Sequence, residues 1–338
     1  MTDCAAQPRL EDPGPARGEG KDSMTWTFSV VRRVRGGALT LAVAGLLGAC
    51  GGGTSQVEPF VAERVLAFGD EASTLTPDGR KYSVNALNDD GSLACEREPI
   101  WTQSIANIYG FVFAECNPNS IADPRATTLA AAGAQVANLS AQIDTAEISP
   151  GFAQRTMATV MIGTNDILAL YAEFPVRDEA DLTTELEARG TVVGQQVNRL
   201  VDRGVRVLIA TVPSLGLSPF GLAERLAHGD TDRAALLNRL TAAFNAAIRT
   251  TIYNDGRKLG LVLADELVQV LSENPGSYKL SNVILGACTV ELPNCNSNTL
   301  IVGATSATWL WADDHWLAYG GQNQLGSLAR GRAQNNPF

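Results

Sequence analysis

Four short apolar runs, each closed by a turn and each separated from the next by enough chain for a helix, constrain this sequence more than any other feature. Residues 65–68 stop at Gly69-Asp70, residues 158–162 at Gly163-Thr164-Asn165-Asp166 and residues 205–212 at Pro213; residues 259–264 come last. Continuous apolar runs of this length read as buried strands. Between them, 99–108, 185–202 and 232–257 carry helical patterning, with a further helical turn over 167–171. Strands alternating with helices call for parallel pairing through crossover connections. The expected fold is α/β: a single three-layer doubly wound domain with a central parallel sheet over residues 61–338. Chemistry belongs at the carboxyl ends of such strands, where Gly69-Asp70-Glu71 and Gly163-Thr164-Asn165-Asp166 both fall.

A chain that is 45% apolar and 18% charged is not disordered throughout. Its net charge of −10 argues against nucleic acid as a partner, because no basic stripe is present to replace phosphate counterions.

The first fifth of the chain reads as targeting sequence rather than fold. Residues 1–23 are rich in Pro, Gly and charge, a leader or extension ahead of Met24, which is the expected start. Arg32, Arg33 and Arg35 then precede an apolar run over 38–47, far shorter than the roughly 20 residues a bilayer requires. Small residues at its end could serve ordinary signal peptidase. Leu47-Gly48-Ala49-Cys50, however, resembles the bacterial lipobox, in which the cysteine is lipidated and becomes the first residue of the mature protein. Residues 24–49 are then a lipoprotein signal peptide, and 50–60 the lipidated Cys50 with its Gly-rich tether. Gly51 in second place implies, by the same resemblance, export to the outer membrane, with membrane lipid the partner of Cys50.

Cysteine usage agrees with export. Setting aside Cys4 and Cys50 leaves Cys95, Cys116, Cys288 and Cys295, an even number suited to an oxidising compartment. Of the three pairings that four cysteines allow, the sequence-local one is expected, Cys95 with Cys116 and Cys288 with Cys295; metal binding is the competing reading, and neither spacing matches a zinc pattern.

Residues 76–98 form a polar stretch that reads as a long loop pinned by one disulfide, and Trp101 behind it reads as core. Gly133, in a run of small residues, allows a backbone amide to approach a ligand. Asn165 and Asp166 can be N-caps of the helix that follows them, or parts of a site. Of the two histidines, His228 has the setting of a solvated residue. His315, in Asp313-Asp314-His315-Trp316, has carboxylates beside it that could orient and charge an imidazole.

These blocks, in this order from about Val61 nearly to the end, resemble the SGNH or GDSL hydrolase superfamily, and within it the bacterial envelope esterases and lipases. The resemblance implies a flavodoxin-like sheet, ester hydrolysis without a cofactor, and a small ester or glycan as ligand. In the family the first block reads Gly-Asp-Ser; here Phe68-Gly69-Asp70-Glu71-Ala72-Ser73 places Glu71 at the nucleophile position. Gly133 and Asn165 match the oxyanion donors. The family's last block is Asp-x-x-His. With His315 as base, Ala312 stands where the aspartate belongs; with Asp313 retained, Trp316 replaces the histidine.

A glutamate at the nucleophile position has no proton to lose, and its charge would repel the developing oxyanion. The expected function is accordingly an envelope lipoprotein with a degenerate esterase site, weakly active or a non-catalytic binding or structural module. The alternative is an active hydrolase of carboxylic or acetyl-sugar esters using Ser73 with His315, or Glu71 as general base with Asp313 or Asp314 as acid partner. A third reading makes Glu71, Asp70, Asp313 and His315 a cation site, although an acidic cleft without metal is the simpler account.

Overall fold

The computed structural model describes residues 60–335. The extension, the signal segment, Cys50 and the tether up to Pro59 lie outside the described residues.

Seven strands are present among the described residues: β1 (Arg64–Gly69), β2 (Ala126–Thr128), β3 (Thr156–Met161), β4 (Arg206–Ala210), β5 (Leu259–Val262), β6 (Asn282–Gly286) and β7 (Trp309–Trp311). The first five form one wholly parallel sheet in the order β2-β1-β3-β4-β5, and β6 pairs with β7 in a small separate sheet. Eight helices accompany them: α1 (Trp101–Ile108), α2 (Val136–Ile148), α3 (Thr164–Tyr171), α4 (Glu179–Asp202), α5 (Pro219–Ala227), α6 (Arg233–Thr251), α7 (Ala264–Glu273) and α8 (Tyr319–Asn335). The expected three-layer doubly wound sandwich is what forms, with the strand order of a flavodoxin-like sheet.

Period-2 side-chain direction divides the strand residues between two cores. Val65 and Ala67 of β1, Met157 of β3 and Leu208 of β4 pack with Trp101, Ile105, Leu325 and Ala329 on the face of α1 and α8. Leu66, Phe68, Val160 and Ile209 pack with Leu139, Ile143, Val197 and Phe244 on the face of α2, α4 and α6. Trp101 is fully buried, as its sequence setting implied.

Several boundaries differ from the sequence reading, each for a local reason. α4 begins at Glu179, before 185, because Asp178 caps it by accepting from the Asp181 amide at 2.9 Å. α6 ends at Thr251 rather than at 257, because Asn198 of α4 takes over the backbone there. Asn198 donates to the Thr251 carbonyl at 2.9 Å and accepts from the Tyr253 amide at 2.8 Å. β5 stops at Val262, and Ala264 opens α7 instead of closing the strand. β2 carries no apolar run, and those of β6 (283–285) and β7 (309–311) are only three residues long, too short to announce a strand.

The loop over 76–98 is held from inside. Lys81 is fully buried, and its ammonium donates to the carbonyls of Arg97 (2.6 Å), Glu98 (2.9 Å) and Cys95 (3.4 Å). Burial pulls the Lys81 pKa down to about 8. Both expected disulfides form, Cys95 with Cys116 and Cys288 with Cys295.

Candidate functional site

In a 2-1-3-4-5 sheet the strand order reverses between β1 and β3, and their carboxyl ends open the crevice where ligands bind. β1 delivers Gly69-Asp70-Glu71 to that place and β3 delivers Gly163–Asp166. Gly69 has φ +128°, and a Cβ there would lie 1.7 Å from the Met161 carbonyl oxygen, so no other residue allows the two strand ends to meet so closely. Gln142 of α2 fixes the same residue by accepting from the Gly69 amide at 2.8 Å and donating to its carbonyl at 2.9 Å. Asp70 points inward, fully buried, and accepts from the Ala72 amide at 3.2 Å. Burial, reinforced by the charge of Glu71, pushes its carboxyl well above the usual range. Asp70 therefore supports the turn from beneath, and it is not among the residues lining the cleft.

Glu71 turns the other way, into a cleft of about 690 Å³ that Asn165, Tyr82, Glu291, Asp314 and His315 also line. Its Oε1 accepts from the Gly133 amide at 2.6 Å and its Oε2 from Asn165 Nδ2 at 2.8 Å. Asn165 Nδ2 donates to the Ala134 carbonyl at 3.0 Å as well, which holds the side chain in place. Gly133 and Asn165, the two donors expected to stabilise an oxyanion, thus converge, and a carboxylate of the same chain sits between them.

The capping alternative for the Asn-Asp pair does not hold. Gly163 is the N-cap of α3, and no side chain bonds there. Asp166, almost fully buried, accepts from the Val136 amide at the start of α2 (2.9 Å) and pairs with Arg189 of α4 (2.9 Å). It joins α2, α3 and α4 beneath the cleft.

Ser73 does not face the cleft. It is fully buried, and its Oγ accepts from Trp101 Nε1 at 3.3 Å on the α1 side of the sheet. The short 3-10 turn Glu71–Ser73 rotates it away from the cleft.

His315 sits in the loop after β7, its side chain 18% exposed and its Nδ1 against the Asp314 carboxylate. Its ring lies 4.9 Å from that of Trp316, centroid to centroid. Burial works against the imidazolium, but Asp314, then Asp313 and Glu71, outweigh it and raise the His315 pKa above the ordinary value. His315 in turn holds the Asp314 carboxyl low. The imidazole is therefore paired with the adjacent Asp314, not with a residue three positions earlier. Asp313 is turned back to the chain, where its Oδ1 accepts from the amides of His315 (3.0 Å) and Trp316 (2.7 Å), and burial raises its carboxyl. It shapes the loop, and the side chain beside the imidazole is that of Asp314.

For the cation reading, Asp313, Asp314 and His315 each offer one ligand atom within 4.8 Å of the others. Neither Asp70 nor Glu71 is part of that group, so only Asp313 and His315 of the expected set come together. The sequence reading missed Tyr82 and Glu291. Tyr82 carries no local signal, whereas Glu291 lies inside the short loop closed by Cys288 and Cys295, which was visible as a cysteine pair.

No protein-family model matches the chain, and no curated protein matches it. Among solved structures it is similar to the acetyl xylan esterase AlAXEase (12% identity, TM-score 0.42, 79% of this chain and 98% of that one). It is also similar to a member of the lipolytic protein G-D-S-L family from Veillonella parvula (12%, TM-score 0.39, 79% and 96%). An acetyl xylan esterase from Geobacillus stearothermophilus is a third (13%, TM-score 0.41, 83% and 98%). Likeness at this level carries no weight for activity, and what the cleft does must be argued from its own geometry.

Proposed function

We propose that this chain is an SGNH/GDSL-type domain whose ester-hydrolysis site is closed by its own Glu71, leaving a non-catalytic binding or structural module. One observation carries this reading: both donors that would stabilise a tetrahedral oxyanion already bond to the Glu71 carboxylate. A carbonyl oxygen entering between them would displace a negative group and meet its repulsion. Such donors are worth about 2.7–4 kcal/mol each in an acyl-transfer site, and here they stabilise a ground state instead. The hydroxyls near the turn are out of reach: Ser73 is buried against Trp101, and buried Thr74 donates its Oγ1 proton to the Asp70 carbonyl at 2.8 Å.

The lipobox-like Leu47-Gly48-Ala49-Cys50 and the two disulfides support carriage on the cell envelope through Cys50, the outer membrane being its site by the Gly51 rule. A small ester or glycan is the ligand class that suits a cleft walled by Tyr82, Asn165 and carboxylates.

Substitution tests the plug directly. The unmodified protein should hydrolyse p-nitrophenyl acetate no faster than background. Glu71→Ser frees both donors and places a hydroxyl in the cleft that His315 and Asp314 also line, so its rate should exceed that of the parent by about a hundredfold or more. Robust hydrolysis by the parent, lost in Glu71→Gln, would overturn the proposal in favour of a Glu71 general base. Loss of palmitate labelling in Cys50→Ser is the matching expectation for the anchor.

A further inference from the structure

The central sheet treats its two edges differently. Outside β2 the chain covers the edge: the Ala126 amide donates to the Val112 carbonyl at 3.1 Å, and the Ala114 amide to the Ala126 carbonyl at 2.8 Å. Among the described residues, β5 has no such cover. The Val207 amide donates to Lys258 at 2.8 Å and the Thr211 amide to Val262 at 3.0 Å, so residues 258, 260 and 262 turn their backbone towards β4. Alternation then directs the backbone of Leu259, Leu261 and Leu263 outward. Leu259 uses its amide on the Asp255 carbonyl (3.0 Å), and the Leu263 carbonyl accepts from the Leu267 amide (3.0 Å). Four groups are left without a backbone partner among the described residues: the Leu259 carbonyl, the Leu261 amide and carbonyl, and the Leu263 amide.

The same three leucines line a groove of about 540 Å³, with Ile252, Tyr253 and Arg332 of α8 among its other walls. Arg332 Nε is buried without a hydrogen-bond partner, and no carboxylate pairs with this arginine among the described residues. Arg249, also in the wall, is already held by Asp265 at 2.6 Å. The uncompensated charge of the groove is therefore Arg332.

We infer that this edge docks an extended peptide segment of a partner protein, which pairs with Leu259–Leu263 as a sixth strand and places a carboxylate on Arg332. Open edges pair with any available strand unless they are blunted, and covering one edge while leaving the other beside a cationic groove is the arrangement of strand addition. A guanidinium next to the ladder selects for a carboxylate-bearing strand. A second copy of this chain fits less well. Its groove would present another unpaired arginine, while Asp255 and Asp265 beside it are held by Arg257 (3.5 Å) and Arg249 (2.6 Å).

The test uses the full chain and a fluorescein-labelled hexapeptide of alternating threonine and valine with one glutamate, followed by anisotropy and amide hydrogen exchange. Saturable binding with a Kd of about 100 μM or tighter is expected, with slowed exchange at the amides of Leu261 and Leu263. Arg332→Glu should weaken binding about tenfold or more and restore it to the peptide carrying lysine in place of glutamate. That reversal would not follow from a structural role of Arg332. Absence of binding, or binding indifferent to Arg332→Glu, overturns the inference. So does a full chain that sediments as a dimer with concentration-dependent protection of the Leu261 amide, because the occupant would then be a second copy.

Discussion

On one side of the cleft, Glu71 and Asn165 stand on the carboxyl ends of β1 and β3, inside the parallel sheet and over its two cores. On the other side, Asp314 and His315 hang from the three-residue β7, beside the loop that Cys288 and Cys295 close. The first side is positioned by the same packing that makes the domain fold. The second depends on local ties, such as the bonds from the His315 and Trp316 amides to Asp313 Oδ1 and the one from the Phe220 amide to the Asp314 carbonyl at 2.8 Å. A side chain on a strand end takes its position from the packed sheet, as Glu71 does. One on a loop takes it from a few local bonds, as the Asp314-His315 pair does.

The comparison breaks most visibly at Gly69. Gly69→Ala sets a methyl against the Met161 carbonyl at a backbone φ of +128° and should cost about 3–5 kcal/mol in urea unfolding. A loss below about 1 kcal/mol would mean that the strand-end side is not rigidly specified. The loop side is tested by Cys288→Ser with Cys295→Ser, expected to cost about 2–3 kcal/mol and to expose the 288–295 segment to limited proteolysis. Unchanged proteolysis would assign that wall to its other hydrogen bonds. Asn165→Ala removes one of the two donors to Glu71 and should lower stability by about 1–2 kcal/mol in thermal unfolding.

The smallest effect is electrostatic. Because the folded-state pKa of His315 is raised, its contribution is fully present below the unfolded value near 6.5 and fades as pH climbs through the elevated one. Asp314→Asn should move the His315 midpoint downward in an NMR titration and narrow that pH window. An unmoved midpoint would leave Asp313 and Glu71 as the charges that matter.

Strands 1, 3, 4 and 5 were legible because each is a buried parallel strand with a continuous apolar run. β2 was not, because three residues of Ala-Thr-Thr hold no pattern and pair only once β1 exists. Gly133 and Asn165 could be singled out because motif spacing preserves them, but nothing local in the sequence says that Glu71 reaches both. Ser73 illustrates the reverse error: two residues from Glu71 in sequence, it lies on the far side of a tight turn.

The sequence by itself determined the parallel α/β architecture, the place of the cleft and the carboxylate in its first turn, since strand periodicity and turn chemistry act over a few residues. The tertiary structure decided which carboxylate meets which donor. Glu71 fills the Gly133–Asn165 cradle, Asp314 takes the place of Asp313 beside His315, and β5 keeps an open edge. Each of these joins segments far apart in the chain, and such contacts depend on the packing of the whole domain.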